Sequence, residues 1–381
     1  MELHGGNLKE AQERYLLKKE EIIDFSANIN PLGFPSSIGK IISSHLDDIA
    51  RYPDPGCKDL KKALANCLNI SADNLLIGNG SMDLIFSLAF ALKPKRALIP
   101  IPAFSEYERV VHLAGGRCLF VKTHEENDFA VNVTEVTKRL DSADLLFVCN
   151  PNNPTGFLWD KEAMRFLADK CEKKGVFLVI DEAFMDFVEE KNASSMAAVR
   201  PYRKHVLVLR SLTKFFALAG LRIGYLAGNK KLLNRISSYQ PPWSVNVLAQ
   251  MVAREIIKDP VFIKKSRDYV LKESTFLFKE LQKLKFLKPY PASANFIFCR
   301  LKDEKMNSRR LCDYCGAKGI LIRDCSNFRG LDNRFIRVAV RRREDNLRLI
   351  SCLERIFTPH LFNIQPLCFK NPKYIKGAGF K

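Results

Sequence analysis

The sequence has no uninterrupted apolar stretch long enough to cross a lipid bilayer as a helix. Its first seven residues, Met1 to Asn7, lack the basic and apolar regions of a secretory signal peptide. No internal repeat and no low-complexity tract occurs in the 381 residues. These absences argue against a membrane-spanning or secreted protein. They predict a globular cytoplasmic protein, large enough for two domains.

The chain has fewer acidic than basic residues. The chain has 42 Asp and Glu against 61 Lys and Arg, which gives a formal net charge of +19. A positive field draws in anionic substrates. The basic residues are spread along the chain, and no recognised nucleic-acid-binding motif accompanies them. We therefore expect a small anionic substrate and no nucleic acid. A basic nucleic-acid binder or regulator stays an alternative, and it predicts salt-sensitive DNA binding.

Cysteine is not scarce, but a second Cys-x-x-Cys pair is missing. Several of the eleven cysteines, such as Cys149 and Cys299, lie inside apolar strand-like runs. Buried free thiols of this kind suit a reducing compartment. Cys312 and Cys315, with Cys325 further on, have no matching second pair. The sequence therefore predicts no metal site here.

Short apolar runs alternate with helical segments through the middle of the chain. The clearest runs are Ala97–Pro100, Leu145–Cys149, Val176–Ile180 and His205–Leu209. Continuous apolar strands separated by helices are typical of a parallel sheet that is covered on both faces. Such an α/β sheet binds its ligands at the carboxyl ends of the strands.

The ends of the chain have a different organisation. Residues 1–30 are predicted to form an N-terminal arm, with a helix over Leu8–Glu21 and a strand over Ile22–Ser26. We expect a large domain over residues 31–250. Two later strands, Asn295–Cys299 and Arg334–Val340, predict a smaller domain over 251–357, which a helix over Arg343–Ile356 would close. Residues 358–381 lose this periodicity and are interpreted as an extension of unknown role.

Lys214 follows the apolar run His205–Leu209 and has hydroxyl residues before it, at Ser211 and Thr213, and an arginine after it, at Arg222. An amine attacks an aldehyde only when it is neutral, and desolvation beside another cation favours the neutral form. The hydroxyls and the guanidinium suit a dianionic phosphate. The segment therefore predicts a Schiff-base lysine beside pyridoxal 5'-phosphate, although a solvated surface lysine is the plainer alternative.

A second segment suits the phosphate of the same cofactor. Gly80, Ser81 and Met82 precede the apolar helix Leu84–Leu92, and a helix N-terminus offers free N–H donors. An ordinary helix cap is the alternative. Tyr52, in a Pro- and Gly-rich segment, carries a hydroxyl that could donate to the phosphate, or it is simply an exposed loop residue.

Three further residues suit the cofactor ring. Asn153 lies in the rigid loop Asn150–Gly156 after a strand, and its amide could donate to the ring's phenolate oxygen. Asp181 ends the next strand, where a carboxylate would pair with the protonated ring nitrogen. Phe104 could stack on the ring face, although a core aromatic is the usual interpretation.

Two arginines late in the chain are candidates for binding substrate anions. Arg323 and Arg337 could each clamp a carboxylate or a phosphate bidentately, or they could face water. Arg334 and Arg337 have opposite parity on one predicted strand, so only one of them can face a pocket.

Taken together, Asn150–Gly156, Asp181–Ala183, Ser211–Lys214 and Gly220–Gly224 resemble the fold type I pyridoxal-phosphate enzymes of the aminotransferase family. The resemblance covers about residues 30–340, and its nearest general relatives are similar to histidinol-phosphate aminotransferases. It implies a large domain with a mainly parallel seven-stranded sheet, together with a smaller α+β C-terminal domain.

Four other segments narrow the resemblance. His4–Asn7, Asp24–Gly33, Pro242–Asn246 and Ile322–Phe328 are similar to L-threonine-O-3-phosphate decarboxylases. That family makes (R)-1-amino-2-propanol phosphate for the nucleotide loop of cobalamin. A histidinol-phosphate-type aminotransferase stays the alternative, and L-serine O-phosphate stays a possible substrate, since the two phosphoamino acids differ by one methyl group.

The resemblance implies a role for each candidate residue. Lys214 would join the cofactor covalently, Asp181 would bind its ring nitrogen, Asn153 its phenolate oxygen and Phe104 its ring face. The residues that would hold the cofactor phosphate are Gly80, Ser81, Met82, Ser211, Thr213 and Arg222. Tyr52 would reach that phosphate from the partner subunit of a homodimer. The residues that would meet the substrate are His4, Asn28, Asn153, Arg323 and Arg337. One departure is Phe184, where many aminotransferases carry a tyrosine that binds the phenolate oxygen.

Overall fold

The computed structural model describes residues 5–189, 195–198 and 202–357. The predicted extension over 358–381 lies outside the described residues. The α-helices are α1 Leu8–Tyr15, α2 Ile38–Ser44, α3 Lys58–Leu68, α4 Gly80–Leu92, α5 Glu106–Leu113, α6 Val133–Lys138, α7 Lys161–Lys174, α8 Leu212–Phe215, α9 Lys230–Ser237, α10 Val247–Ile256, α11 Pro260–Lys283, α12 Ser308–Gly316 and α13 Arg343–Glu354.

The β-strands are β1 Ile23–Asp24, β2 Leu75–Gly78, β3 Arg96–Ile101, β4 Arg117–Lys122, β5 Leu145–Cys149, β6 Phe177–Asp181, β7 Val206–Ser211, β8 Gly224–Gly228, β9 Leu287–Pro289, β10 Phe296–Leu301, β11 Ile320–Leu321, β12 Arg323–Asp324 and β13 Phe335–Ala339. Among these elements, no helix combines the length and the apolarity needed to cross a membrane.

The largest sheet has seven strands in the order β2-β8-β7-β6-β5-β3-β4. Strand β8 runs antiparallel to both of its neighbours, and the other pairs are parallel. The predicted fold class, with a mainly parallel seven-stranded sheet, is confirmed. The apolar runs in β5, β6 and β7 form its centre, where nearly every residue is buried.

Alternate residues of the central strands face two separate cores, because side chains alternate across a strand. Leu146, Val148 and Ile180 lie in the core that α7 and α10 cover. Phe147 and Val179 lie in the opposite core, which α4, α5 and α9 cover. Burial on both faces explains why these strands have continuous apolar runs instead of an apolar–polar alternation.

A second, antiparallel sheet has the order β12-β13-β10-β9. Its core contains residues of α11, α12 and α13, such as Leu281, Leu311 and Leu349. In the register of β12 and β13, Arg323 is the direct Cα partner of Arg337. Since directly opposed residues on antiparallel strands face the same side of a sheet, the two candidate substrate arginines are neighbours.

The N-terminal arm differs from its prediction. The helix expected over Leu8–Glu21 ends at Tyr15, because Leu16 adopts a left-handed conformation with φ of 56°. The strand shortens to β1, which pairs in parallel with β11. A Cβ atom built on Gly316 would lie 2.2 Å from Cζ of Tyr15. Gly316 therefore leaves room for the ring of Tyr15 to pack directly on α12.

Candidate active site

The carboxyl ends of β5, β6 and β7 meet at one edge of the large sheet, because the three strands are parallel and adjacent. Cys149 is the register partner of Asp181, and Asp181 is the partner of Leu209. This register brings the Asn150–Gly156 loop, Asp181 and the segment leading to Lys214 to the same edge.

Lys214 lies on α8, a single helical turn directly after β7. Its Nζ donates a hydrogen bond to Oγ1 of Thr213 at 2.9 Å. Its carbonyl oxygen accepts from the backbone N–H of Asn30 at 3.1 Å, so the arm lies against the lysine segment. The pKa of Lys214 is lowered to about 8, mainly by burial; the positive charges of Arg222 and Arg337 also lower it, whereas the charge of Asp181 opposes the shift. A lower pKa leaves more of the neutral, nucleophilic amine near pH 7.

Asp181 is almost completely buried at the end of β6. Its Oδ1 accepts from the N–H of Ala183 at 2.9 Å, and its Oδ2 accepts from the hydroxyl of Tyr107 at 2.6 Å. Burial raises the pKa of Asp181, whereas the hydrogen bond from Tyr107 and the charge of Lys214 lower it. Sequence reasoning missed Tyr107. No sequence signal points to it, since Phe104, three residues before it, lies outside α5.

The candidate phosphate site is built around the N-terminus of α4. The helix begins at Gly80, four residues before the predicted Leu84, so that Gly80, Ser81 and Met82 form its first turn. N–H groups of a first turn have no partner within the helix. A Cβ atom on Gly80 would lie 2.7 Å from Nη2 of Arg222, so the guanidinium packs directly on this turn.

Strand β8 and the end of β7 complete the phosphate site. A Cβ atom on Gly224 would lie 2.9 Å from the backbone nitrogen of Ser81. The start of β8 therefore packs closely against the start of α4. The hydroxyls of Ser211 and Thr213 share a hydrogen bond of 2.6 Å, and both residues are buried. A helix N-terminus, two hydroxyls and an arginine together form a donor set suited to a phosphate dianion.

Arg337 and Asn153 contact each other across the two sheets. Nη1 of Arg337 donates to Oδ1 of Asn153, and Nη2 donates to the carbonyl oxygen of Ser26 at 2.9 Å. Because Oδ1 of Asn153 is used as an acceptor, its Nδ2 group is the end that can donate to a cofactor oxygen. The guanidinium lies 5.3 Å from the ring centroid of Phe296. Burial lowers the pKa of Arg337 to about 10.

Arg323 is buried beside Arg337. Its Nη2 donates to Oδ1 of Asn327 at 2.8 Å, and its guanidinium lies 5.3 Å from the ring of Phe328. Arg334 instead forms an ion pair with Asp332 near the surface. Of the two arginines with opposite parity, Arg337 is therefore the one that faces the interior. The buried pair concentrates positive charge at one place.

Two arm asparagines lie close to the same region. Asn28 is 5% exposed, and its Oδ1 atom has no hydrogen-bond partner within the described ranges. Asn30, which sequence reasoning did not assign, donates from Nδ2 to the carbonyl oxygen of Phe215 at 2.7 Å. The only sequence signal for Asn30 was its turn-rich segment. His4, a predicted substrate ligand, lies outside the described residues.

Phe104 and Phe184 have distinct surroundings. The ring of Phe104 meets Tyr107 edge to face, with centroids 5.6 Å apart. Phe104 also borders a cleft of about 990 Å³ that Asn327 lines from the other sheet. Phe184 packs edge to face on Phe296 at 5.2 Å. Phe184 has no hydroxyl, so binding of the phenolate oxygen by Asn153 or by water stays a prediction.

Tyr52 is apart from the buried candidates. It is 81% exposed and contacts the ring of Trp243, with centroids 4.8 Å apart. The cysteines of the Cys-x-x-Cys segment lie on α12, where Cys312 donates to the carbonyl oxygen of Ile322. In the part of the chain that the structure describes, no group of three or more His, Cys, Asp or Glu side chains could hold a metal ion.

The family described as aminotransferase class I and II matches residues 20–353. The chain belongs to this family. Two curated relatives are named as threonine-phosphate decarboxylases, the first provisionally. One, from Caldanaerobacter subterraneus subsp. tengcongensis, is 40% identical over 87% of this chain and 89% of its own length. The other, from Salmonella typhimurium strain LT2, is 36% identical over 93% and 96% of the two chains.

A solved structure gives the same fold. The histidinol-phosphate aminotransferase from Clostridium acetobutylicum has a TM-score of 0.81 and 32% identity, and the match covers 87% of this chain and 98% of that chain. The fold is that of the fold type I pyridoxal-phosphate enzymes, as the sequence predicted.

Pyridoxal 5'-phosphate is the cofactor of this family, and the residues present fit it. Gly80 provides a cradle that a side chain would fill, beside Arg222. Lys214 is a partly buried amine whose pKa is lowered to about 8, and Asp181 is a buried carboxylate at the neighbouring strand end. An aldehyde, a phosphate and a ring nitrogen are the groups that such a lysine, cradle and carboxylate bind. The individual residue roles remain predictions.

Proposed function

We propose that the protein decarboxylates L-threonine O-3-phosphate to (R)-1-amino-2-propanol O-2-phosphate, a precursor for the cobalamin nucleotide loop. The observation that carries the proposal is the buried pair Arg323 and Arg337, which are register partners on β12 and β13. A phosphoamino acid brings two anionic groups, and two guanidinium forks suit them. The decarboxylase names of relatives at 36% and 40% identity support the reaction type.

Pyridoxal phosphate, when bound, supplies an electron sink for the electron pair that stays at Cα after the carboxylate leaves. The chain's own residues would do the remaining work. Asp181 would keep the ring nitrogen protonated, and Asn153 would donate to the phenolate oxygen. Arg323 and Arg337 would orient the substrate, which decides whether the bond to the carboxylate or the bond to hydrogen breaks. The Nζ of Lys214 would hold the proton that is returned to Cα.

The proposed function is tested with purified protein, pyridoxal phosphate and threonine phosphate. We expect CO2 release without any keto-acid acceptor, and an inactive Lys214→Ala variant. L-Serine O-phosphate is the matched substrate, since it lacks one methyl group. A methyl group is worth about 1–3 kcal/mol, so we expect a 10- to 200-fold lower kcat/KM for serine phosphate. No CO2 from either substrate would refute the proposal.

A histidinol-phosphate-type aminotransferase is the second candidate, and the solved aminotransferase at 32% identity favours it. It predicts amino transfer between histidinol phosphate and 2-oxoglutarate, with glutamate as a product. Measuring glutamate and CO2 in parallel distinguishes the two candidates, because a decarboxylase makes CO2 and no glutamate.

The proposal includes a homodimer in which Tyr52 reaches the neighbouring active site. Support comes from large apolar side chains that are 48–81% exposed on segments near α10: Leu46, Ile49, Tyr52 and Trp243. Exposed apolar groups clustered in this way mark interfaces. Mixing Lys214→Ala subunits with Tyr52→Ala subunits would restore one intact site per hybrid dimer, or about a quarter of wild-type activity. Mass spectrometry shows whether the subunits have exchanged. If they have exchanged and the activity does not recover, this part of the proposal is contradicted.

The remaining parts of the proposal concern compartment and organisation. The ten cysteines within the described residues are free thiols, and several are buried, which supports a reducing compartment such as the cytoplasm. The division into an arm over 1–30, a large domain over 31–250 and a small domain over 251–357 is supported by the two separate sheets. A gel shift at physiological salt tests the nucleic-acid alternative, and we expect no shift.

A further inference from the structure

Tyr107 is a buried tyrosine that directly contacts the candidate ring-nitrogen ligand. It lies on α5, is 1% exposed and donates its hydroxyl proton to Oδ2 of Asp181 at 2.6 Å. Its ring stacks on Phe147, with centroids 4.7 Å apart and planes 5° from parallel. Packing on β5 therefore fixes the ring, and the ring fixes the position of the hydroxyl.

The surroundings of Asp181 make this hydrogen bond important. The titratable groups that face the carboxylate are Tyr107 from α5, Cys149 from β5 and Lys214 from α8. The thiol of Cys149 donates to the carbonyl oxygen of Pro151 at 3.3 Å. Tyr107 is therefore the side chain that donates a neutral hydrogen bond to Asp181, and the N–H of Ala183 is the backbone donor.

The hydroxyl group of Tyr107 stays protonated. Burial and the neighbouring carboxylate raise the pKa of Tyr107 well above its usual value, so the hydroxyl keeps its proton and acts as a donor. Donation to the charged form of a carboxylate lowers the carboxylate's pKa. Tyr107 thus opposes the burial that raises the pKa of Asp181.

We propose that Tyr107 is a positioning residue for the cofactor: its hydroxyl fixes the rotation of the Asp181 carboxylate and keeps it ionised for the cofactor's ring nitrogen. The inference deepens the proposed function, on which it rests only for the cofactor and not for the substrate. A residue that positions the ligand of the cofactor's ring nitrogen acts on the chemical step more than on substrate binding.

Tyr107→Phe tests the inference, because it removes one oxygen atom and keeps the stacking ring. Tyr290→Phe is a matched control: Tyr290 is also 1% exposed and also donates to a carboxylate, Glu125, at 2.7 Å. Tyr290 lies in a separate aromatic cluster with Phe129 and Phe298. A general loss of packing or stability would affect both variants alike, whereas an effect that acts through Asp181 would appear only in Tyr107→Phe.

The first readout needs no turnover. The Kd of pyridoxal phosphate for the apo-protein is measured by fluorescence from pH 5 to 8. In Tyr107→Phe we expect a Kd about 3- to 10-fold higher at pH 7, and an acid-side weakening of binding that begins at a higher pH, because Asp181 then binds its proton more readily. Tyr290→Phe should match the wild type. Equal curves for all three proteins would overturn the inference.

The second readout is a double-mutant cycle. We expect Tyr107→Phe to lower kcat about tenfold with less than a twofold change in KM, and to have no further effect in an Asp181→Asn background. Additive effects of the two substitutions would overturn the inference. The cycle can be run on CO2 release or on amino transfer, so it stays informative if the proposed reaction is wrong. A wild-type protein that does not bind pyridoxal phosphate would instead refute the cofactor assignment itself.

Discussion

Two buried arginines in this molecule have opposite electrostatic surroundings. Arg210, at the end of β7, donates to the carboxylates of Glu182 and Asp186. Arg337, on β13, donates to an amide oxygen and to a carbonyl oxygen, both of them neutral. Burial lowers the pKa of both guanidiniums, but the carboxylates raise the pKa of Arg210 above its usual value, whereas the pKa of Arg337 falls to about 10.

The difference separates a structural charge from a functional one. A buried cation with carboxylate partners is compensated inside the fold, and it ties β7 to the segment after β6. A buried cation with neutral partners keeps its attraction for an anion that comes from solution. Groups left in such an unfavourable state tend to mark functional sites. Arg323, at the register position opposite Arg337, is a second buried guanidinium at the same place.

The largest effect is expected when the compensated arginine is removed. Arg210→Met leaves the buried carboxylate of Glu182 and the partly exposed carboxylate of Asp186 without their cation, so the free energy of unfolding should fall by about 3–5 kcal/mol. Arg337→Met should change it by less than about 1.5 kcal/mol, because loss of an unpaired buried cation offsets the loss of two hydrogen bonds. Urea denaturation measures both. A greater loss from Arg337→Met would show that the comparison is wrong.

A smaller effect is expected when the guanidinium group of Arg337 is replaced by an ammonium group of the same charge. Arg337→Lys should lower kcat/KM for threonine phosphate about 10- to 100-fold, equivalent to about 1.4–2.8 kcal/mol, because an ammonium group cannot bind an anion in bidentate fashion. Arg334→Lys is the control, since Arg334 pairs with Asp332 near the surface, and it should change kcat/KM less than twofold. Similar losses in both variants would remove the distinction between the two positions.

The smallest effect concerns Lys214. The rate at which the apo-protein captures pyridoxal phosphate should rise with pH and level off above an inflection near pH 8, because deprotonation makes the amine nucleophilic. Arg337→Met should move this inflection upward by less than one pH unit, since the positive charge of Arg337 contributes to the lowered pKa of Lys214. Stopped-flow absorbance measures the rate. A downward shift would contradict the expected sign.

Sequence patterns predicted the parts of the fold where one signal was strong. The runs in β5, β6 and β7 are continuous and apolar because both of their faces are buried, so their positions were predicted to within two residues. Strand β4, which begins with Arg117 and ends with Lys122, is an edge strand with partly exposed residues and was not predicted. Strand β8 begins and ends with glycine, which also hides a strand pattern.

The candidate site likewise contains residues that a sequence pattern predicted and residues that it did not. Asp181 and Lys214 were predictable because each follows an apolar strand. Tyr107 was not, since its role depends on a contact with a residue 74 positions away along the chain. The early end of α1 was missed because Leu16 adopts a left-handed backbone without a glycine to signal it. Contacts that form only in three dimensions are the part that one sequence does not reveal.

The pairing of β1 with β11 has a consequence for synthesis on the ribosome. Ile23 pairs with Ile320, so the first strand to be translated waits for one of the last. At about 5–20 residues per second, the arm stays without its partner for roughly 15–60 s. During that time the large sheet can assemble, but β1 has no strand with which to pair. The small sheet that holds the N-terminal arm therefore forms only after Lys214 and the strands around it have been made.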